Sequence, residues 1–172
     1  MSALQSLQIL LIDDNRNMRL IASAILNSMG IRHIREVADG AAGLKALREH
    51  PVDLALVDFN MFPLDGVAFT RLVRNSPDSP NPYLPIIMLT GHSERSRVQE
   101  ARDAGVNEFV VKPIAARAVL ERINAVIFQP RAFVRAPNYF GPCRRRNPGL
   151  DYVGPFRRST DGLKGRSASS AA

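Results

Sequence analysis

The sequence predicts an α/β fold, a doubly wound parallel sheet of five strands with helices on both faces, followed by a C-terminal segment of different character. Three observations carry that prediction. Five short apolar runs alternate with segments of helical period over about 120 residues, and such alternation is the pattern of strand–helix–strand units. Four of the runs lack the alternation of a half-exposed strand and are apolar on both faces, as strands of a covered parallel sheet are. The runs also end abruptly in chemistry-bearing residues rather than in turn residues, and in sheets of this class functional groups gather at the carboxyl ends of the strands.

The elements follow in order. Gln8–Ile12 (QILLI) is a buried strand that stops at Asp13-Asp14. Asn15 is placed to cap a helix running to Met29, with Met18, Ile21, Ala22, Ile25 and Met29 on one face and Gly30 as its stop. His33–Val37 is less apolar and suits an edge strand, and Asp39-Gly40 opens a helix with Ala42, Leu44 and Leu47 inward. Leu54–Val57 is a second buried strand ending in Asp58, and Gly66–Val73 is helical. A loop with four prolines spans Asn75–Pro85, then Ile86–Leu89 forms a strand that ends in Thr90-Gly91. A polar helix around Ser93–Ala104, the strand Glu108–Val111 ending in Lys112-Pro113, and an amphipathic helix over about 114–128 complete the domain.

Charge divides the chain at the same place. Residues 1–128 carry fourteen basic and fourteen acidic side chains, whereas residues 129–172 carry nine basic and two acidic ones, so the whole net charge of +7 lies in the last quarter. That segment is rich in Pro, Gly, Arg and Ser with no sustained apolar period, which predicts a basic, mostly disordered and largely irregular tail over 129–172 behind a folded domain over 1–128. The tail contains a repeat, Tyr-x-Gly-Pro-x-Arg-Arg, first as Tyr139 to Arg144-Arg145 and again as Tyr152 to Arg157-Arg158. Paired guanidiniums beside aromatic rings suit phosphates and unstacked bases of nucleic acid, an acidic protein surface, or a carboxylate-rich face of the chain's own folded domain. One cysteine excludes a disulfide framework and a cysteine-rich metal site. No run of about eighteen apolar residues occurs and the first eleven residues lack a basic flank, so neither a membrane span nor a secretory signal is expected, and the expected location is cytoplasmic.

The predicted strand ends bring Asp13, Asp14, Asp58, Thr90 and Lys112 to one edge of the sheet. Clustered carboxylates repel one another and call for a cation. With oxygen ligands only, a hard ion fits, Mg²⁺ above all. A carboxylate beside a metal, an ammonium and a hydroxyl is equipped for phosphoryl transfer, the aspartate acting as nucleophile. His33 and His50 lie away from these ends and receive no role.

The motifs ILLIDDN, LALVDFNM, PIIMLTG and FVVKPI occur in this order. Over residues 4–128 the chain resembles the receiver domain of the bacterial two-component response regulators, of the stand-alone, chemotaxis-regulator-like type. The resemblance implies a flavodoxin-like strand order 2-1-3-4-5 and a phosphoprotein with Asp58 as phosphoacceptor. It implies Mg²⁺ held by Asp13, Asp14, Asp58 and the backbone carbonyl of Asn60. Thr90, Gly91 and Lys112 would contact the phosphoryl group, and Pro113 would follow a cis peptide. Thr90 and Phe109 would form the output switch, and His92 would border the site as a modulator. The implied partners are a histidine kinase or phosphotransfer protein upstream and a protein target downstream, with a homodimer as a form that phosphorylation would favour. The protein would assist its own phosphorylation and dephosphorylation without being an enzyme in the usual sense. The alternative function is nucleic-acid binding through the tail, regulated by the domain. Two departures stand out. The segment Met61-Phe62-Pro63-Leu64-Asp65-Gly66 reorders the family's usual loop, and Gly91 stands where alanine is usual.

Overall fold

The computed structural model describes residues 4–91 and 97–144. Five strands, β1 (Gln8–Ile12), β2 (His33–Val37), β3 (Leu54–Asp58), β4 (Ile86–Thr90) and β5 (Glu108–Val111), form one parallel sheet in the order β2-β1-β3-β4-β5. The helices between and after them are α1 (Arg16–Ser28), α2 (Gly40–Glu49), α3 (Gly66–Asn75), α4 (Val98–Ala104) and α5 (Ala116–Ile127). The doubly wound α/β fold and the strand order match the expectation.

The reasons are local and readable. Every residue of β3 and β4 is buried, because helices cover both faces of the central strands. β2 lies at an edge and is mostly exposed, which is why its sequence tolerates His33, Arg35 and Glu36. Three helices begin on a side-chain cap that accepts otherwise unpaired backbone N–H groups: Asn15 for α1, Asp39 for α2 and Asp65 for α3. α4 closes on Gly105, whose φ of +102° favours glycine. Two apolar layers result. Leu10, Val57, Phe59, Phe69, Val73 and Met88 pack beneath α2, α3 and α4, and Leu11, Leu26, Leu56, Leu89 and Ile123 pack beneath α1 and α5.

The tail departs from expectation in the part that is described. Residues 133–142 form an antiparallel hairpin, β6 (Phe133–Ala136) and β7 (Tyr139–Pro142), where an irregular segment was predicted. It is seated on the domain. Phe133 and Phe140 close a three-ring cluster with Tyr83 of the α3–β4 loop, with centroids 5.1 to 5.5 Å apart. Beneath it Arg74 of α3, only 2% exposed, lies 5.1 Å from the Phe133 ring. Arg74 donates to the carbonyls of Gly105 and Pro82 and to Asn107 Oδ1. A Cβ on Gly141 would come within 2.8 Å of Gly105 Cα, so the two backbones touch there. Arg144 pairs with Asp103 of α4 at 2.6 Å. Sparse apolar content argued for disorder. Three rings suffice here because the domain supplies the third ring and a buried guanidinium for them to cover. The second repeat, with Tyr152, Arg157 and Arg158, lies outside the described residues, as do Arg145 and His92.

Candidate functional site

The carboxyl ends of β1, β3, β4 and β5 lie side by side by register: Ile12 is level with Val57, Asp58 with Leu89, and Thr90 with Val111. The residue at or just after each end therefore projects onto one edge. Carboxylate oxygens of Asp13, Asp14 and Asp58 lie within 4.8 Å of one another. Asp13 and Asp58 are buried, while Asp14 is open to solvent.

Each side chain is held by its surroundings. Asp13 Oδ1 accepts the Asn15 backbone N–H at 2.8 Å, and the Asp13 carbonyl accepts Arg19 Nη1, fixing the turn into α1. Lys112 reaches across from the end of β5 and donates to Asp58 Oδ1 at 2.6 Å and to Asp13 Oδ2 at 3.1 Å. The Lys112–Pro113 peptide is cis, as expected. Burial pushes the Asp58 carboxyl up to about 6, and Asp13 and Asp14 add to the rise, against the opposing effect of the Lys112 ammonium. The Lys112 pKa is raised, the pull of Asp58 and Asp13 outweighing burial. Thr90 is buried at the end of β4, and its carbonyl accepts the Lys112 backbone N–H at 2.7 Å. Asn60 is exposed two residues past Asp58, and Gly91 follows Thr90.

Phe109 is half-buried against the apolar layer beneath α3 and α4. The reordered loop keeps its length: Phe62–Pro63 is a second cis peptide, with the Phe62 ring 85% exposed.

Two features near Asp58 went unassigned in the sequence. A Cβ on Gly66 would lie 2.4 Å from the Asp58 carbonyl oxygen, so only glycine lets α3 start against β3. Arg97 donates to Asp65, the α3 cap, and to Glu100, and its guanidinium lies 4.8 Å from the Phe59 ring. It thereby ties α4 to the loop that follows Asp58. The signal for Gly66 was present in the dipeptide Asp65-Gly66; nothing in the sequence pairs Arg97 with Asp65.

A doubly wound sheet with a carboxylate triad and a lysine on its carboxyl edge defines a class of α/β domain built to manage charge at that edge. The particular family follows from comparison. A family model described as the response regulator receiver domain matches residues 9–124, and the chain belongs to that family. It is 33% identical over 126 residues to a probable chemotaxis protein CheY of Rhizobium etli, covering 73% of this chain and 96% of the relative. It is 34% identical over 120 residues to the chemotaxis protein CheY of Pseudomonas aeruginosa, covering 70% and 95%. Among solved structures, a receiver domain of a sensor histidine kinase from Pseudomonas aeruginosa superposes with a TM-score of 0.60 at 31% identity, over 69% of this chain and 94% of that one. That structure has a magnesium ion coordinated in its active-site cleft. The protein is thus a response regulator domain of two-component signalling, a signalling protein rather than a classical enzyme. Among the described residues no helix is long and apolar enough to cross a membrane.

Proposed function

We propose that this protein accepts a phosphoryl group on Asp58 from a histidine kinase or phosphotransfer protein and passes the signal on by protein–protein contact. The observation that carries the reading is the Lys112 ammonium bridging Asp58 and Asp13 within a triad of carboxylates. Buried acids at this density are costly unless a cation and a ligand of matching charge use them.

The donor set fits Mg²⁺: oxygen ligands only, clustered, with Asp14 open to solvent. Asp13, Asp14, Asp58 and the Asn60 carbonyl would hold it, and when bound it would neutralise charge on the transferring phosphoryl oxygens. The remaining work falls to the chain. At neutral pH Asp58 is mainly a carboxylate, since its pKa is about 6, and is therefore nucleophilic. One Asp58 oxygen forms a bond to phosphorus as the bond from phosphorus to the donor's imidazole nitrogen breaks. The electron pair leaves with the imidazole, which takes a proton. Lys112 Nζ, already at Asp58, moves to a phosphoryl oxygen, and the Thr90 hydroxyl hydrogen-bonds another. Thr90 drawn toward the phosphoryl group makes room for Phe109, reshaping the face made by α4, β5 and α5.

The alternative of nucleic-acid binding through the tail gains no support from the described part of the repeat. The Tyr139 ring is stacked by Arg144 at 4.2 Å and the Phe140 ring by Arg135 at 4.1 Å, so these rings are already covered.

The test is incubation with Mg²⁺ and acetyl phosphate, read by intact mass. Gain of one phosphoryl group is expected, absent in Asp58→Asn and in EDTA. Labelling that persists in Asp58→Asn refutes the assignment.

A further inference from the structure

The hairpin completes a cleft that the sheet and helices alone would leave open. It lies between α4, the amino-terminal end of β5 and the hairpin, opposite the edge that carries Asp58, and has a volume of about 270 Å³. Arg102, Asn107, Glu108, Arg131, Tyr139 and Arg144 line it. Glu108 is buried in its wall and faces two guanidiniums, Arg131 at 3.5 Å and Arg122 at 3.9 Å. Arg131 also donates to the carbonyls of Cys143 and Asn107, so it is fixed in place. Arg144 spends one nitrogen on Asp103 and stacks on Tyr139.

The cleft carries unbalanced positive charge. Arg102 is exposed and forms no ion pair with a described residue. Three guanidiniums (Arg102, Arg131, Arg144) line the cleft against one lining carboxylate, Glu108, so the described lining carries two excess positive charges at a small volume.

We propose that this cleft binds a small organic dianion of the dicarboxylate class. Two charges match the excess, the volume admits a short carbon chain, and a planar carboxylate takes the paired N–H groups of a guanidinium. Phe109 also lines the cleft, so an occupant would touch β5.

The test uses the full chain, titrated with succinate at constant ionic strength and followed by backbone amide NMR. Succinamide serves as the neutral isostere and inorganic phosphate as the other dianion. Saturable shifts at Gln99, Arg102, Asn107 and Glu108 are expected with succinate and not with succinamide. Arg102→Gln, an exposed position that leaves the fold intact, should weaken binding about tenfold, the effect of losing one charge-assisted hydrogen bond. Arg144→Gln should do the same while its thermal transition shows the domain folded. The proposal is overturned by equal shifts from succinamide, by shifts confined to the residues around Lys112, by saturation with phosphate but not succinate, by no saturation at all, or by unchanged affinity in Arg102→Gln.

Discussion

The carboxyl of Asp58 gives a sharp test of the site as drawn, through stability rather than phosphorylation. Its pKa stands at about 6 in the folded protein against 3.8 for the free side chain. The native state therefore binds more protons than the unfolded state between these values, and stability must fall as pH rises through that window. By about pH 7 the loss is complete, and the difference in pKa converts to about 3 kcal/mol. Asp58→Asn keeps the shape and removes the titration. Lys112 retains Asp13 as a partner, at 3.1 Å. Asparagine differs from the protonated acid by a constant offset, so the quantity to follow is the change of the stability difference with pH, in which that offset cancels. Urea unfolding by far-ultraviolet circular dichroism, in EDTA, at about pH 3.5 and about pH 7.5 measures it. The variant should gain about 2–3 kcal/mol on the wild type between the two conditions. Added Mg²⁺ at the higher pH should then raise the wild type more than the variant, since binding to the native state alone stabilises it. A stability difference constant to within about 0.5 kcal/mol would show that Asp58 is solvated like a free carboxylate and would refute its burial beside Asp13 and Lys112.

Other consequences are equally concrete. Lys112→Met removes the ammonium from Asp58; labelling by acetyl phosphate should slow by about a hundredfold or more, and an unchanged rate would discard the role given to Lys112. Gly66→Ala forces a methyl to within 2.4 Å of the Asp58 carbonyl, and the shift needed should cost at least about 2 kcal/mol in urea unfolding while slowing labelling. Phe140→Ala empties the ring cluster under the hairpin at a cost of about 3 kcal/mol of docking. Hydrogen exchange should then show β6 and β7 losing protection ahead of the sheet; hairpin amides as protected as in the wild type would contradict the docked arrangement.

What could be read from the sequence, and what could not, follows the origin of each element's stability. β1, β3 and β4 are buried on both faces, so their apolar runs are unmistakable, and the caps Asn15, Asp39 and Asp65 sit where the helical period begins. The acidic pair, Asp58, Thr90 and Lys112 were legible because the end of a parallel strand is a place as well as a position in the chain, and register alone brings them together. The partners of Arg97 were not legible, since Asp65 lies 32 residues away and no local pattern links the two.

The hairpin was not legible for a related reason. Its stability comes from groups outside it: Tyr83, the buried Arg74, Gly105 and Asp103 all belong to the domain. Averaged over 44 residues, the composition of 129–172 describes a segment that cannot bury itself, and that inference is sound for a chain left alone. The repeat was visible as spacing, but its meaning lay in the fold. Tyr139 donates to the Pro142 carbonyl and stacks on Arg144, Gly141 meets Gly105, and Arg144 reaches Asp103. The first Tyr-x-Gly-Pro-x-Arg unit is therefore a device for seating a hairpin on α4. Two of the segment's basic residues, Arg131 and Arg144, lie in the wall of a cleft beside β5.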